Sequence, residues 1–487
     1  MSQKEVRTRY APSPTGFVHI GNLRSALYEY LVAKANRGSF ILRIEDTDQK
    51  RYVEGAVNVI YDTLKIVGIN HDEGPDIGGK YGPYIQSERK DTYLPYAKQL
   101  IDMKKAYYCF CTEERLDILR EEAEKKKVQF KYDRHCLNLS SEEIQKKLDN
   151  NEPYVIRQLM PDSGFTTYND AVYGDIKFSN DVLEDQILIK SDGFPTYNFA
   201  NVIDDHLMKI SHVVRGSEYI TSTPKYINLY NAFGWEPPVF VHLPLVVNKE
   251  GAKLSKRSGD AYFSDLLDAG YLPEAIVNFL VLLGWSSGTE QEFFTLSELE
   301  NVFDISGISK SPSTYDTDKL RWMNGEYIRN KTLDDFVKIA SPWIDKIIKR
   351  NLDKYKICSM IQKRVEVLNE IPQMIEFLEN PVPVDIQLYI NQKSKCDISE
   401  AKRILPIIKQ KIIEMDVFDH ENIYEMFRNT ATELQVKNGL VMWPARIAIS
   451  GLLVTPGGAV EIAEIIGKDE TIKRLDKAIK ELEAYNA

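Results

Sequence analysis

The chain has 487 residues, 43% of them hydrophobic and 28% charged, with a formal net charge of −10. Single cores stop growing at roughly 250 to 300 residues, so two to four globular domains are expected. The longest apolar run, AIVNFLVLLGW, falls short of the ~20 residues of a membrane span. The opening MSQKEVRTR lacks the apolar stretch of a signal peptide, so the expected location is cytoplasmic.

Five cysteines do not make a disulfide framework in so long a chain, in keeping with a reducing compartment. The acidic total argues against an unspecific nucleic-acid coat, yet leaves room for a local basic surface. Residues 344–365 offer one in Lys346, Lys349, Arg350, Lys354, Lys356, Lys363 and Arg364. A solvated helix face is the alternative for such a run.

In chain order, the alternating VRTRY predicts a strand, and APSPTGFVHIGN a turn rich in proline and glycine. A helix from Asn22, the strand GSFILRI and a helix through EGAVNVIYDTLKIVG follow. This order predicts a parallel α/β sheet of the nucleotide-binding kind. From about residue 90 to 190 the pattern changes to charged helices such as TEERLDILREEAEKKK and short strands such as YVIRQLM. The alternation then returns in SDGFPTYNFANVIDDHLMKISHVVRGSEYI, as the second half of one sheet interrupted by an insert. Beyond KLSKRSGD the pattern is helical, with boundaries near residues 325–335 and 375–385.

Two distant segments carry chemistry. In TGFVHIGN, a helix N-terminus with free backbone N–H groups suits an anion, and His19 adds a donor. In KLSKRSGD, Lys253, Lys256 and Arg257 surround Ser255, a cationic loop able to neutralise charge developing on a triphosphate. A structural histidine and a surface turn are the plain alternatives for each taken alone.

Together they resemble the paired signatures of class I aminoacyl-tRNA synthetases. PSPTGFVHIGNLRSAL, RIEDTD, DEGPDIGGKYGPYIQSER, DGFPTYNFANVIDDHLMKISHVVRG, TPKYINLYNAFGW, KLSKR and KNGLVMWPARIAISG resemble the bacterial glutamyl-tRNA synthetases over nearly the whole chain. The resemblance implies a Rossmann-type catalytic domain, an inserted α+β acceptor-binding domain and all-α C-terminal domains. The expected division is 1–88 and 194–225 for the catalytic halves, 89–193 for the insert and 226–330 for a stem-contact domain carrying KLSKR. Helical anticodon-binding domains are expected at 331–380 and 381–487.

The implied reaction activates L-glutamate with ATP and Mg²⁺, then transfers it to the terminal ribose of tRNA(Glu); whether tRNA(Gln) also serves is open. The resemblance implies ATP contacts from Thr15, Gly16, His19, Gly21, Asn22, Lys253, Ser255, Lys256 and Arg257, with His19, Lys253 and Lys256 catalytic. Asn22 stands where the family signature often has histidine. Glutamate carries two carboxylates and an ammonium, which arginines and an acid suit. The family positions matched are Arg9 and Arg215 for the side-chain carboxylate, Ala11, Ser13 and Glu45 around the amino-acid backbone, and Tyr197 and Asn201 on the side chain.

A glutaminyl-tRNA synthetase would be expected to lack arginine at 215 and to end in a β-barrel. In the insert, Cys109, Cys111 and Cys136 have a spacing compatible with zinc, or are simply small thiols. Some relatives complete such a set through a residue matching Tyr132, and the chain has Asn138 where some have histidine. The family also suggests a monomer.

Overall fold

The computed structural model describes residues 5–48, 51–128, 130–252 and 262–485. The chain divides into two units, Met1–Leu266 with Ile276–Asp316, and Leu267–Ala275 with Thr317–Ala487.

In the first unit, β1 (Arg7–Tyr10) and β2 (Ser39–Leu42) pair in parallel and flank α1 (Ile20–Ala35) in sequence. Helix α1 begins two residues before Asn22 because His19 caps it. The His19 Nδ1 accepts the Gly21 N–H at 3.0 Å. A Cβ at Gly21 would lie 3.2 Å from that nitrogen, so glycine leaves room for the folded-back ring. Nearly all of α1 is buried, including Leu23, Leu27 and Leu31, as befits a helix packed on several sides. Then follow α2 (Ala56–Ile66), α3 (Lys90–Asp102), β3 (Ala106–Cys109), α4 (Glu113–Lys125) and α5 (Ser141–Asp149).

Next in sequence are β4 (Val155–Gln158), β5 (Phe165–Asp170), β6 (Gly174–Ser179) and β7 (Ile187–Ile189). Strands β3, β4 and β7 form an antiparallel sheet. After α6 (Tyr197–Leu207) and β8 (His212–Gly216) come α7 (Thr223–Phe233) and β9 (Val239–Leu243). Strand β9 lies between β8 and β5 and is parallel to both, and β6 closes that sheet as a hairpin. The Ser211 N–H donates to the Arg7 carbonyl at 2.9 Å, tying the start of β8 to β1. The two stretches of alternating pattern therefore meet, the β1–β2 pair beside the layer of β8, β9, β5 and β6. Hairpin β5–β6, although inside the expected insert, extends that layer. Alternation such as FTTYND reveals a strand but not its partner.

The remaining elements of this unit include β10 (Val246–Val247), paired in parallel with β11 (Ser313–Thr314), and α10 (Leu296–Val302). Between them in sequence run α8 (Phe263–Ala269) and α9 (Pro273–Leu282), within which the division between units falls.

The second unit is built from α11 (Thr317–Arg329), α12 (Leu333–Ile347), α13 (Lys354–Ile361), α14 (Ile371–Glu379), α15 (Ile398–Glu414), α16 (His420–Glu433), α17 (Asn438–Ser450), α18 (Ala459–Ile466) and α19 (Lys468–Ala484). One apolar core containing Phe336, Ile375, Ile404, Phe427, Ile447, Ile462 and Leu475 runs through it. Several cations of the basic run at 344–365 are held by partners within this unit. Lys354 pairs with Asp345 and Lys356 with Glu464, while Arg350 donates to the carbonyls of Leu378 and Ile466. Lys363 and Arg364 stay exposed. Among the described residues, no helix is long and apolar enough to cross a membrane.

Candidate active site

At the C-terminal ends of the parallel strands lies a cleft of about 310 Å³, lined by Ser13, Thr15, Glu45, Asp46, Tyr197, Tyr219 and Tyr226 among others. Ligands of open α/β sheets bind at such ends. The proline-rich turn is laced to the chain after β2, since the Glu45 N–H donates to Pro12 and the Val53 N–H to Pro14, both at 3.0 Å. Gly16, at φ +119°, takes a conformation that other residues rarely adopt. Thr15 and Asn22 are exposed on either side of the His19 cap.

Lys253, Ser255, Lys256 and Arg257 lie outside the described residues. The chain resumes beside the signature turn. The Phe263 N–H donates to the Val18 carbonyl at 3.1 Å, and Tyr262 bridges His19.

Beneath the cleft is a buried charge network. Arg9 Nε donates to Asp205 Oδ1 at 2.9 Å, and Arg9 Nη1 to Glu29 Oε1 at 3.3 Å. Arg43 Nη1 reaches the same Asp205 oxygen at 2.7 Å and Nη2 reaches Glu45 Oε1 at 2.8 Å. Gln86, Arg89 and Tyr93 all donate to Asp204. Two guanidiniums thus face three carboxyls, Asp205, Glu29 and Glu45. Burial pushes against ionising Asp205, but Arg9 and Arg43 prevail and hold its pKa below the usual value. Burial prevails at Glu29, raised well above its usual value despite Arg9, and at Glu45, raised against the pull of Arg43. Of the three, only the acid touching both arginines has its pKa lowered.

Of the residues expected around an amino acid, Ser13, Glu45 and Tyr197 line the cleft. Ala11 is half-buried in the adjoining turn. Asn201 is buried on α6, and its Nδ2 has no hydrogen-bond partner among the described residues, a donor open to an acceptor. Arg215 is buried at the end of β8, with the rings of Tyr219 and Tyr226 at 5.2 and 4.6 Å. Sequence reasoning missed Arg43, Asp205, Asp170 and His242. The only signal was acids and a histidine inside apolar stretches, as in NVIDDHL and VFVHL.

A second cluster lies on the three-stranded sheet. The sulfurs of Cys109, Cys111 and Cys136 all lie within 4.8 Å of one another, with Cys111 and Cys136 at 3.6 Å. The Tyr132 hydroxyl is 3.3 Å from Cys109 Sγ and 3.2 Å from Cys111 Sγ. A hydrogen bond from Cys136 holds the Cys109 thiol below its ordinary pKa, against burial and with help from Tyr132. His135 is exposed and stands outside the cluster.

Comparison with known proteins matches residues 5–322 to the catalytic domain of class I tRNA synthetases (E and Q), and residues 335–479 to an anticodon binding domain. A glutamate–tRNA ligase of Clostridium kluyveri is 56% identical, with 98% of each chain covered. The chain belongs to the glutamate–tRNA ligases. The enzyme of that name from Clostridium botulinum is 54% identical over 99% of each chain. A crystal structure of a glutamate tRNA ligase from Elizabethkingia meningosepticum, in complex with its amino acid, is 36% identical and superposes with a TM-score of 0.91 over 98% of this chain and all of that one. As a glutamate–tRNA ligase, the chain is a class I aminoacyl-tRNA synthetase with an α-helical second unit in place of a β-barrel.

Proposed function

We propose that the cleft activates L-glutamate with ATP and Mg²⁺ and passes it to the 3′-terminal adenosine of tRNA(Glu). Arg215 and Arg9 hold the side-chain carboxylate, and Glu45 takes the ammonium. Ala11 and Ser13 border the amino-acid backbone, and Tyr197 and Asn201 fix the side chain. Thr15, Gly16, His19, Gly21 and Asn22 receive the nucleotide, with Lys253, Ser255, Lys256 and Arg257 supplying positive charge. The observation that carries this reading is Arg215, buried against Tyr219 and Tyr226, two rings that line a cleft also bordered by Glu45 and Tyr197.

In the first step an oxygen of glutamate's α-carboxylate attacks the α-phosphorus and diphosphate leaves. His19, Lys253 and Lys256 stabilise the charge that accumulates on the phosphates; Mg²⁺ arriving with ATP would neutralise more of it. In the second, a terminal ribose hydroxyl attacks the activated carbonyl and AMP leaves. Orientation and charge stabilisation carry such steps, so no protein nucleophile is assigned.

Residues 89–193 grip the acceptor end, 226–330 contact the stem, and 331–380 with 381–487 read the anticodon. The enzyme acts in the cytoplasm as a monomer. Tetrahedral zinc with bonds of ~2.3 Å sets sulfurs roughly 3.8 Å apart, close to the Cys111–Cys136 separation of 3.6 Å. We assign Cys109, Cys111, Cys136 and Tyr132 as the zinc-holding set, where the ion would pin the insert. About one zinc per chain by elemental analysis, lost in Cys111→Ser, is expected; metal-free wild-type protein purified in the presence of zinc refutes it.

An aminoacylation matrix tests the main reading, pairing glutamate and glutamine with tRNA(Glu) and tRNA(Gln), with and without ATP. ATP-dependent charging of tRNA(Glu) with glutamate is expected, and its absence refutes the reading. Glutamate on tRNA(Gln) as well would mark an enzyme with relaxed tRNA choice.

A further inference from the structure

The two arginines assigned to glutamate are held in opposite ways. Arg9 is paired directly with carboxyls, which cancel part of its charge. Among the described residues, Arg215 is hydrogen-bonded to no acid. Its Nε donates to His242 Nε2 at 3.2 Å and its Nη2 to Thr223 Oγ1 at 2.8 Å. Both partners are neutral acceptors, while Nη1 has no hydrogen bond among the described residues.

The histidine's state follows from bonding rules. A guanidinium nitrogen can only donate, so His242 Nε2 must accept and the proton must sit on Nδ1. That nitrogen lies 2.6 Å from Asp170 Oδ2. The other oxygen, Oδ1, accepts the N–H groups of Val172 at 3.0 Å and Tyr173 at 2.9 Å, which fix the carboxylate. Register enforces the line. Arg215 and His242 are direct partners across β8 and β9, and Asp170 is paired with Phe240, two residues before His242 on β9. Asp170 and His242 are 1% and 0% exposed. Burial foremost, and then the Arg215 charge, lower the imidazole pKa against the pull of Asp170, which agrees with a neutral ring.

We infer that Asp170 and His242 form a positioning relay for Arg215. Asp170 fixes the imidazole tautomer, and the neutral imidazole aims the guanidinium while leaving its charge for the ligand's side-chain carboxylate. An acid in direct contact would anchor the arginine equally well but would compete with glutamate for it. Interposing the ring removes that competition, and favours a carboxylate over the uncharged amide of glutamine. This inference rests on the assignment of Arg215 to glutamate and deepens it.

Steady-state aminoacylation of tRNA(Glu) by the full-length enzyme tests it, with KM measured separately for glutamate and ATP. Arg215→Ala should raise glutamate KM sharply and leave ATP KM unchanged. Losing one hydrogen bond to a charged group costs on the order of 10- to 100-fold, and His242→Leu should raise glutamate KM by about that factor with kcat little changed. His242→Gln, whose amide oxygen accepts again, should recover most of the loss. Equal failure of Gln and Leu, or equal rises in both KM values, would mean a merely structural role and would overturn the relay. So would an unchanged glutamate KM in folded His242→Leu while Arg215→Ala raises it, leaving Arg215's own role standing. No effect of Arg215→Ala would instead remove Arg215 from the pocket. Should His242→Leu not fold, Asp170→Asn decides, since the relay requires a rise in glutamate KM alone and no rise refutes it.

Discussion

The cleft and the helical unit dispose of their charges in opposite ways, and the contrast separates what the protein needs for chemistry from what it needs for folding. Around the cleft, Arg9, Arg43, Glu29, Glu45 and Asp205 are all buried and bonded to one another, and buried Asp204 beside them accepts from Gln86, Arg89 and Tyr93. In the helical unit, Arg474 is the only buried charged side chain among the described residues; it donates to the carbonyls of Phe377, Leu378 and Ile449 and pairs with a single acid, the partly exposed Glu470. Buried ion pairs contribute little net stability because desolvation offsets their attraction. A core like that of the helical unit would therefore hold the sheet together as well. On the proposed assignment of the cleft to glutamate, the charges beneath it match a ligand that is itself a cluster of charges, and a receptor built in advance spares reorganisation on binding.

The contrast breaks first at Asp205, the acid shared by two arginines. Asp205→Ala leaves Arg9 and Arg43 without their common partner, a loss of about 3–5 kcal/mol in chemical denaturation, accompanied by loss of glutamate activation. Wild-type stability in this variant would make the network dispensable. Phe427→Ala, in the helical core, should cost a similar ~3–5 kcal/mol but leave the KM values for glutamate and ATP unchanged. A shifted glutamate KM would show that the two regions are not separable. Lys256→Ala should slow activation about 10²- to 10³-fold with tRNA affinity nearly constant, whereas equal losses in both would make the lysine loop mainly an RNA contact.

The smallest effect concerns pH and has opposite signs at two acids. Asp205 has a lowered folded pKa, so its stabilising contribution is present above the unfolded value, roughly 3.9, and is lost as pH falls through the folded one. Glu29 has a raised folded pKa. Its contribution is present below the unfolded value, roughly 4.3, and is lost as pH rises through the folded one, so the ionised acid is a burden at neutrality. Glu29→Gln should thus stabilise by about 1 kcal/mol at pH 7, an advantage fading near pH 4. Destabilisation at pH 7 would mean that Arg9 needs the Glu29 charge.

The sequence made the turn around His19 and Gly21 legible, because proline, glycine and helical spacing are local signals. It likewise showed the interrupted sheet and the three thiols, whose spacing survives folding. Helix α1 starts before Asn22 because the His19 ring replaces a conventional oxygen cap, which residue type alone does not announce. Asp205 and His242 were illegible for another reason. Their meaning comes from Arg9 and Arg43 in one case and Asp170 and Arg215 in the other, partners that only the parallel registers bring near. The same holds for β5 and β6, which reads as part of an insert until Asp170 is found beside Phe240.

Helix α1 has a consequence for redesign. Its cap, His19, is a residue proposed to meet the nucleotide, while Glu29, ten positions on, holds Arg9, proposed to meet glutamate; at ~1.5 Å per residue these lie about 15 Å apart on one rod. Eleven of its sixteen residues are buried, so most substitutions along the rod would disturb packing that both ends share. A laboratory programme to recode this ligase for a different amino acid would therefore do better to vary the loops facing the cleft and leave the helix alone. Changes along α1 would retune both substrates at once.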